Sequence, residues 1–513
     1  METGSAMGHE ATTPETRSDD SVQAARYQRL RQAVDDLENG NLAQAESACR
    51  AILAEQADFP EALFALGRIA VLQRDPAAAE AWFAAALRLR PQAAVLYGCL
   101  AEAQLHQGAV ERALRTGLAG LALTDQDPML LCQTAIALIK LDRWREAEPV
   151  LHRAIILHPH ISPLWSNLGV AQERQGRLQA AIQAHTRAWR LEPRQMQAWK
   201  NLQLAQLLAG DLRQGWCPRT FRTVLAPLTP GTWDGSPLNG RTLLVYNIEG
   251  YGDAIHFARF LPDFARQGAR VVVEAEPELE RLFANLEGVS AFSPKGGSRP
   301  AHDARLFFQQ IPHALGVTFE TLPPSRPYLQ PHAADVARWA ERLGPWEKFR
   351  VGLVWAGSTE HPRDRFRSLS LAALAPLAAV PGTAFYALQK GPAVQQLATA
   401  DAGFRPVALG ADLHDFAETA AVLANLDLLI GVDTSVIHLA GAMGRPAWCL
   451  LPFVPDFRWT LEGETTPWYS SVRLFRQTRH HAWPWVISRV AMALHQEVRR
   501  SDPAKTRRAP TGP

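Results

Sequence analysis

The sequence predicts two architectures in one chain: an N-terminal α-helical solenoid over roughly the first 215 residues, then an α/β half made of two doubly wound parallel-sheet domains. Three observations predict this. Alanine recurs at a spacing of 34 through the first part. A stretch rich in Pro, Gly and Thr ends that periodicity. Beyond it, short β-branched apolar runs alternate with amphipathic helical runs.

The repeat comes first because self-similarity is the strongest signal in a long helical region. Ala45, Ala79, Ala113, Ala147 and Ala181 share one register. Pro91, Pro159 and Pro193 share a second, where Asp125 stands in the repeat between them. Gly40, Gly108, Gly176 and Gly210 share a third, with Arg74 and Asp142 in the remaining units. The clearest unit reads Trp165, Leu168, Gly169, Gly176, Ala181, Ala188, Pro193, which resembles the tetratricopeptide repeat (TPR). Small residues let paired helices approach, a glycine in the turn tolerates positive φ, and proline ends the second helix. One unit cannot bury its own apolar face, so units stack into a superhelix with a concave groove. The expectation is a solenoid over 26–215, with about five repeats and a capping helix pair near 196–215. Its groove suits a protein or peptide partner; a spacer or self-association element is the plainer alternative.

The segment 216–240 carries Pro227, Pro230, Gly231, Gly235, Pro237 and Gly240 and reads as a linker. After it, Thr242–Asn247, Val271–Glu274, Ala304–Phe308, Val351–Trp355, Thr383–Leu388, Leu426–Val432 and Ala447–Leu451 read as buried strands. Strands this apolar, alternating with helices, imply parallel sheets covered on both faces. Prolines cluster near 323–348, which places one domain at 241–335 and a second at 346–495. In open α/β folds the ligand site lies at the carboxyl ends of the strands, here the cleft between the domains.

Composition narrows the function. With 47% apolar and 20% charged residues the chain has ordinary globular material, and a net charge of +2 gives no global case for nucleic acid. Five scattered cysteines without a CxxC argue against a disulfide framework or zinc knuckle. No apolar signal segment and no run long enough for a transmembrane helix is visible, so a cytoplasmic location is expected. Residues 1–25 and 500–513 read as disordered ends.

Four features carry chemistry. Leu243–Tyr246 runs into Asn247-Ile248-Glu249-Gly250-Tyr251-Gly252-Asp253-Ala254-Ile255-His256, so a carboxylate, Asp253, stands at a strand's carboxyl end where it can deprotonate a hydroxyl. The plainer reading makes Asp253 a helix N-cap and the glycines a tight turn. Leu428–Val432 runs into Asp433-Thr434-Ser435-Val436-Ile437-His438, a helix start whose free N–H groups and dipole favour an anion. Arg363, Arg365 and Arg367 follow one strand and Lys390 ends another, positions suited to a diphosphate or simply to a solvated loop. Aromatics from Phe453 to Trp459, with Trp468 and Tyr469, either stack on a base or sugar or pack in the core.

Gly252, Asp253, His256 and Pro262, followed by Val432, Asp433, Thr434, Ser435, His438, Gly441, Arg445 and Pro446, together resemble glycosyltransferase family 9, the heptosyltransferases. The resemblance spans about 241–495 and implies a GT-B module of two Rossmann-like domains, acceptor side first and nucleotide-sugar side second. It implies an inverting transfer from a nucleotide-diphosphate sugar without a metal or other cofactor. Asp253 then matches the general base, and Asp433, Thr434, Ser435 and His438 match the donor loop. Arg365, Arg367 or Lys390 is placed on the phosphates, and Gly250, Gly252 and His256 beside the acceptor. A repeat solenoid on such a module also resembles, in architecture alone, the transferase that adds N-acetylglucosamine to proteins, so the acceptor is a protein or a glycan. A different reading is a non-catalytic scaffold whose α/β half is inactive or senses nucleotide.

Overall fold

The structure is a computed structural model that describes residues 14–216, 231–233, 235–361, 363–400 and 403–501, with side chains from Val22 onward. It divides into two compact units, Met1–Asn201 and Leu202–Pro513. In the first unit five helix pairs follow one another: Pro14–Glu38 with Leu42–Glu55, Pro60–Leu72 with Pro76–Leu89, Ala94–His106 with Val110–Leu121, Pro128–Lys140 with Trp144–Leu157, and Ser162–Arg174 with Leu178–Leu191. The N-terminal α-solenoid of tetratricopeptide type is therefore present.

The repeat registers have structural counterparts. Ala45, Ala79, Ala113, Ala147 and Ala181 are all fully buried, each where the second helix of a pair meets the first. At Gly169 an added Cβ would stand 2.4 Å from Cε1 of His185, so only glycine lets these two helices close. The third register is the left-handed residue of the turn inside a pair, with φ of +81° at Gly40, +75° at Gly108 and +76° at Gly176, and of +88° at Gly210 between the following helices Met196–Leu208 and Leu212–Gly215. Arg74 and Asp142 adopt φ of 60° and 61° there, so the turn imposes its geometry even on residues with a Cβ.

Residues 14–25, expected to be disordered, instead open the first helix, with Pro14 at a position where its missing N–H costs nothing. Arg26 of that helix donates to Gln56 Oε1 at 3.0 Å, and Arg29 pairs with Glu55. Residues 1–13 and 502–513, and 217–230 of the expected linker, lie outside the described residues. Trp216 is not linker: it is 5% exposed and set edge-on to Phe257, Phe457 and Trp468 at 6.5, 5.9 and 6.0 Å.

The second unit holds two parallel sheets. In the first lobe β1 (Thr242–Tyr246), β2 (Arg270–Ala275), β3 (Val289–Pro294) and β4 (Ala304–Phe307) run in the order β3-β2-β1-β4. In the second lobe β5 (Phe349–Val354), β6 (Thr383–Ala387), β7 (Val407–Ala408), β8 (Leu428–Val432), β9 (Ala447–Leu451) and β10 (Val472–Arg476) run β10-β9-β8-β5-β6-β7. Every residue of β8 and β9 is buried, as a strand covered on both faces requires. Helix Ala333–Leu343 begins within the expected first domain yet packs on helix Phe416–Ala424 of the second lobe. Its buried Trp339 donates Nε1–H to Glu418 Oε2 of that lobe at 2.5 Å, so the connector is the proline-rich run before it. There Tyr328 touches both lobes: its N–H donates to Ala442 at 2.9 Å and its hydroxyl donates to the carbonyl of Ile255 at 2.9 Å.

Candidate active site

Both sequence motifs lie where a strand gives way to a helix. After β1, buried Asn247 fixes the turn by donating to the Glu249 carbonyl at 3.0 Å and to Glu276 Oε2 at 2.7 Å. Helix Tyr251–Phe257 follows, with Gly250 as its N-cap, so Asp253 sits inside the first turn and does not cap it. Neither Gly250 nor Gly252 has a positive φ. Gly250 faces open space, whereas a Cβ on Gly252 would come within 3.0 Å of His438 Cδ2 and 3.6 Å of Ser435 Cα. Gly252 is therefore a contact point, where this helix packs on helix Ser435–Ala442 of the second lobe. The two motifs meet there.

After β8, the carbonyl of Asp433 accepts from Arg367 Nη1 at 2.9 Å, and its carboxylate stands 3.5 Å from His438 Nε2. Burial alone would raise the Asp433 carboxyl. The hydrogen-bonding contact to His438 and the charges of His438, Arg367 and Arg458 outweigh it and hold it below the usual carboxylate range. Thr434 caps helix Ser435–Ala442 through its backbone only, and its hydroxyl is buried without a partner among the described residues.

The two histidines share one hydroxyl. Tyr469 Oη lies 2.9 Å from His256 Nδ1 and 3.0 Å from His438 Nδ1. His256 is fully buried and its Nε2 has no partner among the described residues, while His438 is stacked on Trp459 at 5.1 Å. Desolvation, then the charges of Arg259, Arg458 and His438, push the His256 pKa well down, so the ring stays neutral. His256 thus joins the lobes from the interior and offers no surface to an acceptor.

The residue that completes the site is Arg458. Its guanidinium forms an ion pair with Asp253, donates to Asp456 Oδ1 at 2.8 Å, and lies 5.3 and 4.5 Å from the ring centres of Phe257 and Phe457. Sequence reasoning passed over it as one member of an aromatic loop. That loop is core: Trp459, Trp468 and Tyr469 are at most 1% exposed, which overturns the stacking reading for those three. Of the basic residues placed on the phosphates, Arg367 is bonded to the 433–438 loop. Arg367 holds Asp433 and, at 3.1 Å, Asp364. Arg365 is exposed over Phe366, and Lys390 donates to the carbonyl of Leu413.

The fold and these motifs define a TPR solenoid joined to a GT-B-like α/β module. Residues 30–94 and 132–194 match the family model of the tetratricopeptide repeat. Residues 390–486 match that of glycosyltransferase family 9 (heptosyltransferase), a span that contains the 433–438 loop, Arg458 and Tyr469. The repeat matches thus lie in the helical unit, and the family 9 match lies in the second lobe of the α/β half. Protein FlbA of Caulobacter vibrioides is 29% identical over 70% of this chain and 71% of its own length. Among solved structures, a thermophilic TPR protein of Thermus thermophilus is 21% identical, covering 36% of this chain and 99% of its own, with a TM-score of 0.31. The pilus biogenesis factor PilW is 14% identical, covering 40% and 96%, with a TM-score of 0.37. Among the described residues no helix is long and apolar enough to cross a membrane.

Proposed function

We propose that the α/β module transfers a sugar from a nucleotide-diphosphate donor to a hydroxyl of a glycan or protein, and that the TPR solenoid recruits the acceptor or a partner protein. The observation that carries this is the convergence of Asp253, at the carboxyl end of β1, with the 433–438 loop, at that of β8, in a chain matching family 9 over 390–486. In this reading the acceptor oxygen attacks the anomeric carbon and its proton passes to Asp253. The bond from that carbon to the phosphate oxygen breaks, its electron pair leaves on the nucleoside diphosphate, and configuration inverts. The N-terminus of helix Ser435–Ala442 faces the negative charge that develops, so no metal is required in this scheme.

The test is transfer by the purified chain from a panel of nucleotide sugars, with and without a chelator, beside thermal-shift titrations with ADP, UDP, GDP and CDP. A ligand that binds only the folded state, at about 100 times its Kd, adds about 2.7 kcal/mol. Asp253→Asn should abolish transfer without loss of nucleotide binding; full activity in that variant removes Asp253 as the base.

One observation favours the scaffold reading: Asp253 is already paired with Arg458, and His438 is enclosed by Trp459 and Tyr469. Absence of both a nucleotide shift and any transfer, from folded protein, would select it.

A further inference from the structure

We propose that Arg458 is a diphosphate-binding residue held in reserve by Asp253, and that arrival of the donor diphosphate moves its guanidinium off that carboxylate. The inference rests on the glycosyl-transfer reading of the cleft.

The geometry separates two kinds of partner. Asp456 is two residues from Arg458 on the same loop, and its Oδ1 accepts both from Nη1 at 2.8 Å and from the Arg458 backbone N–H at 3.1 Å. That pairing survives any adjustment between the lobes. Asp253 comes from the other lobe, 205 residues away in sequence, and its side chain is 26% exposed against 9% for Arg458. The exchangeable partner is therefore Asp253. Arg458 is also under-used: its Nε is buried without a partner among the described residues. Its chain neighbour Trp459 stacks on His438 of helix Ser435–Ala442 at 5.1 Å, which brings the Arg458 loop to the 433–438 motif. A planar guanidinium with free donors, flanked by Phe257 and Phe457, matches a phosphate group better than the exposed Arg365.

The consequence is an order of events. Without donor, the carboxylate of Asp253 is neutralised by Arg458. A diphosphate that takes the guanidinium releases Asp253, which then accepts the proton of an acceptor hydroxyl. Donor binding switches on the base.

The experiment is a double-mutant cycle on the full chain, read by calorimetric titration with ADP, UDP, GDP, CDP and inorganic pyrophosphate. Asp253→Asn removes the competitor and should tighten binding about tenfold. Arg458→Gln should weaken it about tenfold or more, with Arg458→Lys between. In the Arg458→Gln background, Asp253→Asn should add nothing. Unchanged affinity in Asp253→Asn overturns the proposal, and so does equal tightening in both backgrounds, which would mean only that a negative charge had been removed. Binding by the parent without this coupling leaves the glycosyl-transfer reading standing. No binding by the parent or by folded Asp253→Asn removes both. If Arg458→Gln fails to fold, Arg458→Met serves as the uncharged second arm, and full Asp253→Asn tightening in its background is the overturning result.

Discussion

Tyr469 has one hydroxyl proton and two imidazole nitrogens to serve, at 2.9 and 3.0 Å. His438 Nε2 faces the Asp433 carboxylate and directs a proton to it. His256 meets the Tyr469 hydroxyl through Nδ1, and among the described residues its Nε2 has no partner in the interior. A buried neutral histidine makes stability depend on pH. Below its ordinary value of 6.5 the unfolded chain takes up a proton at His256 and the folded chain does not, so stability falls as pH falls. The slope from this one group approaches about 1.4 kcal/mol per pH unit. His256→Asn keeps a donor near the Nδ1 position and cannot titrate. Urea unfolding from pH 7 to 5 should show a shallower acid loss in the variant, and equal slopes would refute the assignment. Gly252 belongs to the same contact. Gly252→Ala brings a Cβ within 3.0 Å of the His438 ring, and a loss of about 1–2 kcal/mol is expected in the same assay.

At the level of elements, the inter-helix turns give a prediction free of side-chain chemistry. Arg74 holds φ of 60° in a turn where three other repeats, and the helix pair that follows them, use glycine. An L residue in that region costs roughly 1–2 kcal/mol, so Arg74→Gly should stabilise the solenoid by about 1 kcal/mol and Gly108→Ala should destabilise it by a similar amount. Thermal unfolding measures both, and a destabilised Arg74→Gly would show that its side chain matters more than its backbone. Elements also explain what was legible in advance. The central strands β1, β5 and β8 are continuous apolar runs and were read directly. The missed strands, β3, β7 and β10, all lie at sheet edges. There one side has no neighbour to bury it: β3 is largely half-exposed, β7 is exposed, and β10 interleaves Arg473 and Arg476 with apolar residues. The candidate site divides the same way. Asp253 and the 433–438 loop are local strand-to-helix motifs and could be found by reading along the chain. Arg458 and Tyr469 take their meaning from residues more than 200 positions away, as the 205-residue separation from Asp253 and the 213-residue separation from His256 show.

Across the two lobes of the second unit, one ionic cluster ties the parts that form the cleft. Arg281, on the short helix after β2 in the first lobe, pairs with Asp335, with Asp415 at 2.7 Å and with Glu418 at 3.6 Å, all in the second. Arg338 adds a second cation, 2.8 Å from Asp335 and 2.7 Å from Glu418. Hydrogen bonding from Arg338 and the charges of both arginines outweigh desolvation and lower the Asp335 pKa. Two cations thus serve three carboxylates, and removing Arg281 leaves three negative charges around one positive charge. Because Arg281 is 46% exposed, solvent screening limits the loss to about 1 kcal/mol. Arg299, which pairs with Glu274 inside the first lobe at 2.8 Å, is the natural control because it has similar exposure but joins no lobes. Arg281→Ala is expected to lower both the urea midpoint and the apparent m value, because the lobes then begin to unfold separately. Arg299→Ala should move the midpoint alone, by less. In 1 M salt the Arg281→Ala loss should shrink, since the Debye length falls to about 3 Å. If both variants behave alike, the cluster is ordinary surface charge and the lobes are held together by the Gly252 contact and the Tyr469 hydroxyl instead.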